Sequence, residues 1–238
     1  MNKGDILKDL RTCIPCPKIE QDCYEWYDRH ELKLRQVKED NYDVVFIGDS
    51  ITHFWHLEPG SHSNGEEVWQ EFYGHRKVFN LGYGFDRPQN VLWRLEHGEL
   101  EGQQPKLFVV NIGTNCYSIT GNYSGDSPEV AAEGVKAVVN KLLEMCPDAK
   151  VLLMAVLPRG FKRDFETMQR KIDELNSILE IFVGNNPRII FCNLREKFRD
   201  ENDEIRSELF VDQCCHPNAD GYRIWAEAIE PEIHRAAD

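Results

Sequence analysis

Four positions far apart in the chain carry groups suited to acyl transfer: Ser50, Gly82, Asn115 and His216. The run Asp43-Val44-Val45-Phe46-Ile47-Gly48-Asp49-Ser50 reads as a buried strand that delivers a serine to the edge of a sheet. A serine hydroxyl is a weak nucleophile at neutral pH until a base accepts its proton. His216, in Cys215-His216-Pro217-Asn218, is the candidate base. The tetrahedral intermediate of acyl transfer then needs fixed donors around its oxyanion. Asn115 offers a side-chain NH₂, while Ser50 and Gly82 offer main-chain N–H groups, the glycine with no side chain to block approach. Singly, each residue has a plainer explanation. Glycines at strand ends form turns, a serine there caps a helix, and a histidine before a proline usually sits at the surface. Together they make a nucleophile, a base and an oxyanion pocket.

These groups meet only if the elements between them form one sheet. Five short apolar runs, residues 44–47, 78–81, 107–112, 151–157 and 189–194, are continuous rather than alternating. Such runs belong to strands covered on both faces, as in a parallel sheet. Helical patterns separate them, and this alternation predicts an α/β/α, flavodoxin-like domain with a five-stranded parallel sheet. Ser127-Pro128-Glu129 predicts an N-cap with proline in the first turn. Val135, Val138, Val139 and Leu142 then form one apolar stripe; Met168, Ile172, Leu175, Leu179 and Phe182 form a second. Tyr222, Trp225, Ala226 and Ile229 form the last. Residues 58–67 and 117–126 read as polar loops that follow the site motifs. In an open parallel sheet, reactive groups collect where strands end at their carboxyl edge, and Gly48-Asp49-Ser50, Asn80-Leu81-Gly82 and Gly113-Thr114-Asn115 all fall there.

The chain of 238 residues is long enough for one such domain, residues 1–238, with residues 1–40 as an N-terminal helical extension packed on it. Its net charge of −13 disfavours nucleic acid and anionic membranes, which reward clustered Lys and Arg. No run approaches the ~18 apolar residues of a membrane-spanning helix. The first ten residues hold no apolar core of signal-peptide length, so a cytoplasmic location is expected, with secretion only if a leader had been removed. Among eight cysteines, Cys13 and Cys16 form a C-x-x-C, but no second ligand pair follows at zinc spacing. Free thiols, no metal and no cofactor are expected. A nucleotide site fails too: Gly82-Tyr83-Gly84 follows a strand, yet the third glycine of the fingerprint is replaced by Arg87.

The ordered blocks around Ser50, Gly82, Asn115 and His216 resemble the GDSL/SGNH hydrolase superfamily. Within it the chain is most similar to the branch of the platelet-activating-factor acetylhydrolase catalytic subunits. That likeness rests on residues 82–100, which begin Gly82-Tyr83-Gly84-Phe85-Asp86-Arg87, and on Gly221-Tyr222-Arg223-Ile224-Trp225. The resemblance implies Ser50 as nucleophile, His216 as base and then acid, and the Ser50 and Gly82 amides with Asn115 as oxyanion hole. The family's acid usually stands three residues before the histidine, where this chain has Gln213. Asp212, four before, is the expected orienting acid if a bulge brings it to the imidazole; Gln213 or a main-chain carbonyl are the alternatives. Asp49 is expected to hold the turn. Phe54, Trp55 and Phe85 are candidate pocket walls or plain core, and Arg87 and Arg159 candidate substrate contacts. The resemblance implies a serine esterase for short-chain, acetyl esters of small-molecule or carbohydrate alcohols, and suggests self-association as a homodimer. The rival reading is a weakly active or inactive binding module on the same fold.

Overall fold

In a computed structural model of the chain, residues 10–55, 64–160, 165–211 and 215–238 are described. The expected acid Asp212 and its neighbour Gln213 lie outside the described residues. Five strands form one parallel sheet in the order β2-β1-β3-β4-β5: β1 Val44–Gly48, β2 Val78–Gly82, β3 Leu107–Asn111, β4 Lys150–Met154 and β5 Ile189–Cys192. This is the flavodoxin-like order. Side chains alternate across each strand, so Val45 and Ile47 enter one core while Val44 and Phe46 enter the other.

The first core lies under helices α1 Trp26–Glu39, α4 Pro88–Glu96, α5 Pro128–Met145 and α6 Phe165–Val183. The second lies under α2 Ser50–His53, α3 Glu66–Tyr73, the short α7 Arg195–Phe198 and α8 Ala219–Ala237. Ser127 caps α5 as expected, its hydroxyl accepting from the Val130 N–H, with Pro128 in the first turn. One expectation is corrected. Glu66 and Glu67 do not belong to a polar loop but open α3, where acidic side chains suit the positive helix end. Val68, Trp69 and Tyr73 then bury its inner face.

Strand register sets the site. Gly48 pairs with Gly82 on one side and with Asn111 on the other, so three strands stop in one row. The turns that follow carry Ser50, Phe85 and Asn115.

Behind the second of these turns lies a buried ion cluster. Arg94 donates to Asp86 Oδ2 at 2.8 Å and to Glu99 Oε2, and its guanidinium stacks 3.9 Å from the Tyr83 ring centroid. Trp26 Nε1 donates to Asp86 Oδ1, while His30 Nδ1 and Tyr83 Oη meet Glu99 Oε1. Burial pushes the Asp86 carboxyl up to about 6 despite Arg94 and Trp26. Burial also raises Glu99, but Arg94, His30 and Tyr83 outweigh it and hold that carboxyl below its ordinary range. The cluster ties α1 and α4 to the turn after β2. Removing one partner of a buried pair leaves an uncompensated charge and typically costs ~3–5 kcal/mol. Urea unfolding of Arg94→Met should show a loss of that size; a change below ~1 kcal/mol would mean the cluster is not a structural keystone.

Candidate active site

Ser50 opens α2, one turn of helix whose N-cap is Asp49; the Asp49 Oδ1 accepts the Ile51 N–H at 3.0 Å. The other end of this turn is held by side chains from distant elements. Tyr222 Oη donates to Ile51 O, and Asn80 Nδ2 donates to Thr52 O, at 2.7 and 2.8 Å. Ser50 itself keeps 8% of its surface exposed, where Asp49 keeps none.

His216 arrives from a loop closed at its base. Phe210 and Pro217 form an antiparallel bridge, and Val211 N–H donates to His216 O at 2.9 Å. Asn218 then caps α8 by accepting the Gly221 N–H. The outcome is a 2.8 Å hydrogen bond between Ser50 Oγ and His216 Nε2. The Phe54 ring packs against the imidazole with centroids 5.2 Å apart.

Asn115 lies in the 3₁₀ turn Thr114–Tyr117 after β3. Its Nδ2 donates to Asp86 O at 3.1 Å, and Arg87 Nε donates to its carbonyl at 3.0 Å. A carboxamide nitrogen has two hydrogens, so one remains after this orienting bond. Ser50, Asn115 and His216 line a single cavity of about 150 Å³. Phe54 and Phe85 supply apolar wall to it, and Ser118 and Arg159 supply polar wall. A wider groove of about 530 Å³ runs along α6 between Glu166 and Asp203, but it is open and lined by no histidine.

Gly82 behaves differently from the expectation. Its N–H donates to Asn80 Oδ1 at 2.8 Å, and it is not among the described residues lining the cavity. The reason is directional. β2 is an edge strand, and Tyr83 N–H turns inward to Gly48 O, so the preceding amide points away from the sheet. Glycine is needed at 82 for space: a Cβ there would sit 2.2 Å from His53 N. The residue of this turn that lines the cavity is Phe85, three residues on. Phe85 has φ of 61°, and its N–H makes no hydrogen bond among the described residues. Left-handed backbone at a bulky residue is strained by ~1–3 kcal/mol and collects at functional sites. Nothing in the sequence announces it, because phenylalanine rarely adopts that conformation.

The remaining candidates divide. Phe54 and Phe85 line the cavity, whereas Trp55 is fully buried core against Trp225 and Tyr222. Arg159 lines the cavity, whereas Arg87 is buried between Glu20, Asn115 and the Tyr123 ring. No cluster of metal-ligating side chains occurs among the described residues, and Cys13 and Cys16 are free thiols raised by burial. No described helix is long and apolar enough to cross a membrane.

A family model of the GDSL-like lipase/acylhydrolase family matches residues 46–224, the span that holds Ser50, Phe85, Asn115, Arg159 and His216. The chain belongs to this family. Among curated GDSL-like relatives, human platelet-activating factor acetylhydrolase IB subunit alpha1 is 33% identical over 168 residues. That match covers 71% of this chain and 65% of the human subunit, just under two thirds of its length. A GDSL-like lipase from Bacteroides thetaiotaomicron superposes with a TM-score of 0.67 at 23% identity, covering 88% of this chain and 98% of that one. A catalytic mutant of an acetylxylan esterase from Geobacillus stearothermophilus gives 0.60 at 18% identity, covering 82% and 94%. At such identities the two structures show a shared fold.

Asp49 has a measurable signature. Burial pushes its carboxyl up to about 7, against the Ile51 N–H and the charges of His216 and Arg159, and its Oδ2 has no hydrogen-bond partner among the described residues. A carboxyl raised on folding favours the unfolded chain once it ionises. Its contribution is therefore intact in acid and declines as pH rises from the ordinary aspartate range to about 7. Asp49→Asn keeps an acceptor for Ile51 and removes the charge. Between about pH 5 and pH 7 its stability should gain on wild type by on the order of 2 kcal/mol. Thermal unfolding at both pH values checks this, and a constant difference in Tm would contradict it.

Proposed function

We propose that the protein is a serine esterase that hydrolyses short-chain, acetyl esters through an acyl-enzyme. The observation that carries this reading is the Ser50 Oγ to His216 Nε2 hydrogen bond of 2.8 Å at the wall of a small cavity. Ser50 attacks the ester carbonyl and passes its proton to Nε2. For Nε2 to accept, Nδ1 must carry the other ring hydrogen, and Asp212 is the proposed acceptor that fixes this tautomer. The oxyanion is received by the Ser50 N–H, the Phe85 N–H and the second hydrogen of Asn115 Nδ2. Phe85 takes the role first expected of Gly82, whose amide is engaged by Asn80. His216 then protonates the departing alcohol, activates a water, and Ser50 is regenerated.

Cavity size supports a short acyl group. About 150 Å³ is well below the ~300–1,000 Å³ of sites for drug-sized ligands. Phe54 and Phe85 give a methyl group an apolar wall. The acetylhydrolase name of the human relative agrees with this choice.

Wild-type protein should turn over p-nitrophenyl acetate, and Ser50→Ala should lower kcat by at least ~10³-fold. Wild-type turnover no faster than that of Ser50→Ala would overturn the esterase reading in favour of a binding module. Asn115→Ala should lower kcat by on the order of 10²-fold with a much smaller change in KM, since its donor matters in the transition state. Steady-state kinetics that put the loss in KM instead would remove Asn115 from the oxyanion hole.

A further inference from the structure

The segment 10–25 precedes the region matched by the family model, yet it reaches the active-site cavity. It crosses the molecule as a strap. Thr12 Oγ1 donates to Val130 O on α5 at 2.7 Å, and Cys16 N–H donates to Gln89 O on α4 at 3.1 Å. Asn90 Nδ2 grips Pro17 O at 2.7 Å. Glu20 receives Arg87 Nη2 at 3.1 Å and the Thr120 hydroxyl at 2.6 Å. Tyr24 Oη closes the strap by donating to Gly84 O at 3.2 Å.

Between the last two anchors the strap delivers Asp22 to the cavity that holds Ser50 and His216. The placement is tight. Asp22 Oδ1 accepts the Cys23 N–H at 2.7 Å, and Oδ2 lies where a Cβ on residue 84 would stand, 1.9 Å away. Gly84 therefore makes room for this carboxylate. No cationic side chain pairs with Asp22 among the described residues. In the same cavity, Arg159 is held by uncharged oxygens: Thr114 Oγ1 at 3.0 Å, Thr114 O at 3.2 Å and Ser118 Oγ at 3.4 Å. A strong acceptor and a strong donor thus share one small space with the nucleophile.

We propose that Asp22 and Arg159 together select the alcohol half of the ester, favouring a neutral alcohol that carries further hydroxyl groups. A cation would be drawn to Asp22 but repelled by Arg159, and an anion the reverse. A hydroxyl both donates and accepts, so a polyol satisfies both side chains with no net charge. Asp22 and Arg159 are half-buried, and polar groups that a bound alcohol desolvates without pairing penalise an alcohol that lacks hydroxyls. Asp22 is a specificity-determining residue in this scheme, contributed from outside the family core, and the inference rests on the esterase reading above.

The test compares glyceryl monoacetate with n-propyl acetate, which has the same carbon skeleton but no free hydroxyl, by pH-stat on wild type, Asp22→Asn and Asp22→Ala. Acetylcholine supplies the cationic arm and p-nitrophenyl acetate the check on chemistry. The ratio of kcat/KM for glyceryl monoacetate to that for n-propyl acetate should fall at least tenfold in both variants. A purely structural role would lower both substrates alike and leave the ratio flat. Asp22→Asn keeps the acceptor for Cys23 N–H, so it remains informative if Asp22→Ala does not fold. A smaller change in the ratio, or a larger loss on acetylcholine than on glyceryl monoacetate, overturns the polyol proposal. Failure of wild type on p-nitrophenyl acetate would bring down the esterase reading and this inference with it; turnover with a flat ratio defeats this inference alone.

Discussion

Everything at the cavity depends on three parallel strands ending in the same row. Gly48, Gly82 and Asn111 are hydrogen-bonded neighbours across the sheet, so the turns that follow start level with one another. A slip of one residue in either ladder would reverse the faces of every side chain on that strand, and Ser50 would no longer face Asn115. Register is secured by burial on both sides, because Val45 and Ile47 belong to one core and Val44 and Phe46 to the other. The chemistry is thus anchored in the least deformable part of the molecule.

Around that row the protein concentrates features that a stability-optimised fold would avoid. Phe85 holds left-handed backbone, Asp49 is a buried carboxyl with one oxygen lacking a partner among the described residues, and Asp86 is a buried carboxyl raised to about 6. Each is unfavourable alone. The Arg94 cluster offsets part of this by gripping Asp86 from behind, while Asp86 O grips Asn115 from in front. One residue thereby joins an interior ion network to a donor at the cavity wall. Strain at active sites survives where surrounding structure over-determines it, and the turn from Tyr83 to Asp86 is braced in that way.

Much of this was legible in the sequence. All five strands were placed to within three residues, because continuous apolar runs between helical patterns leave few alternatives. The convergence of Ser50, Asn115 and His216 followed from strand ends and residue type. What stayed hidden depends on tertiary direction. Which way the Gly82 amide points is decided by β2 lying at the edge of the sheet, which no local pattern states. The arrival of Asp22 depends on the strap's path across α4 and α5, set by main-chain oxygens such as Gln89 O and Val130 O. Glu66 and Glu67 looked like loop because charge density masked the start of a helix.

The strap has one property that reaches past this chain. It is fastened at Pro17 through its own backbone carbonyl and at Tyr24 through a phenol reaching Gly84 O. Six residues, 18–23, span those two moorings. Apart from Glu20, which is tied to Arg87 and Thr120, their side chains can be exchanged while both ends stay put, much as a variable loop is carried by an invariant framework. Divergence among enzymes of this kind could therefore accumulate in a short interchangeable stretch, leaving the sheet and its reactive row untouched.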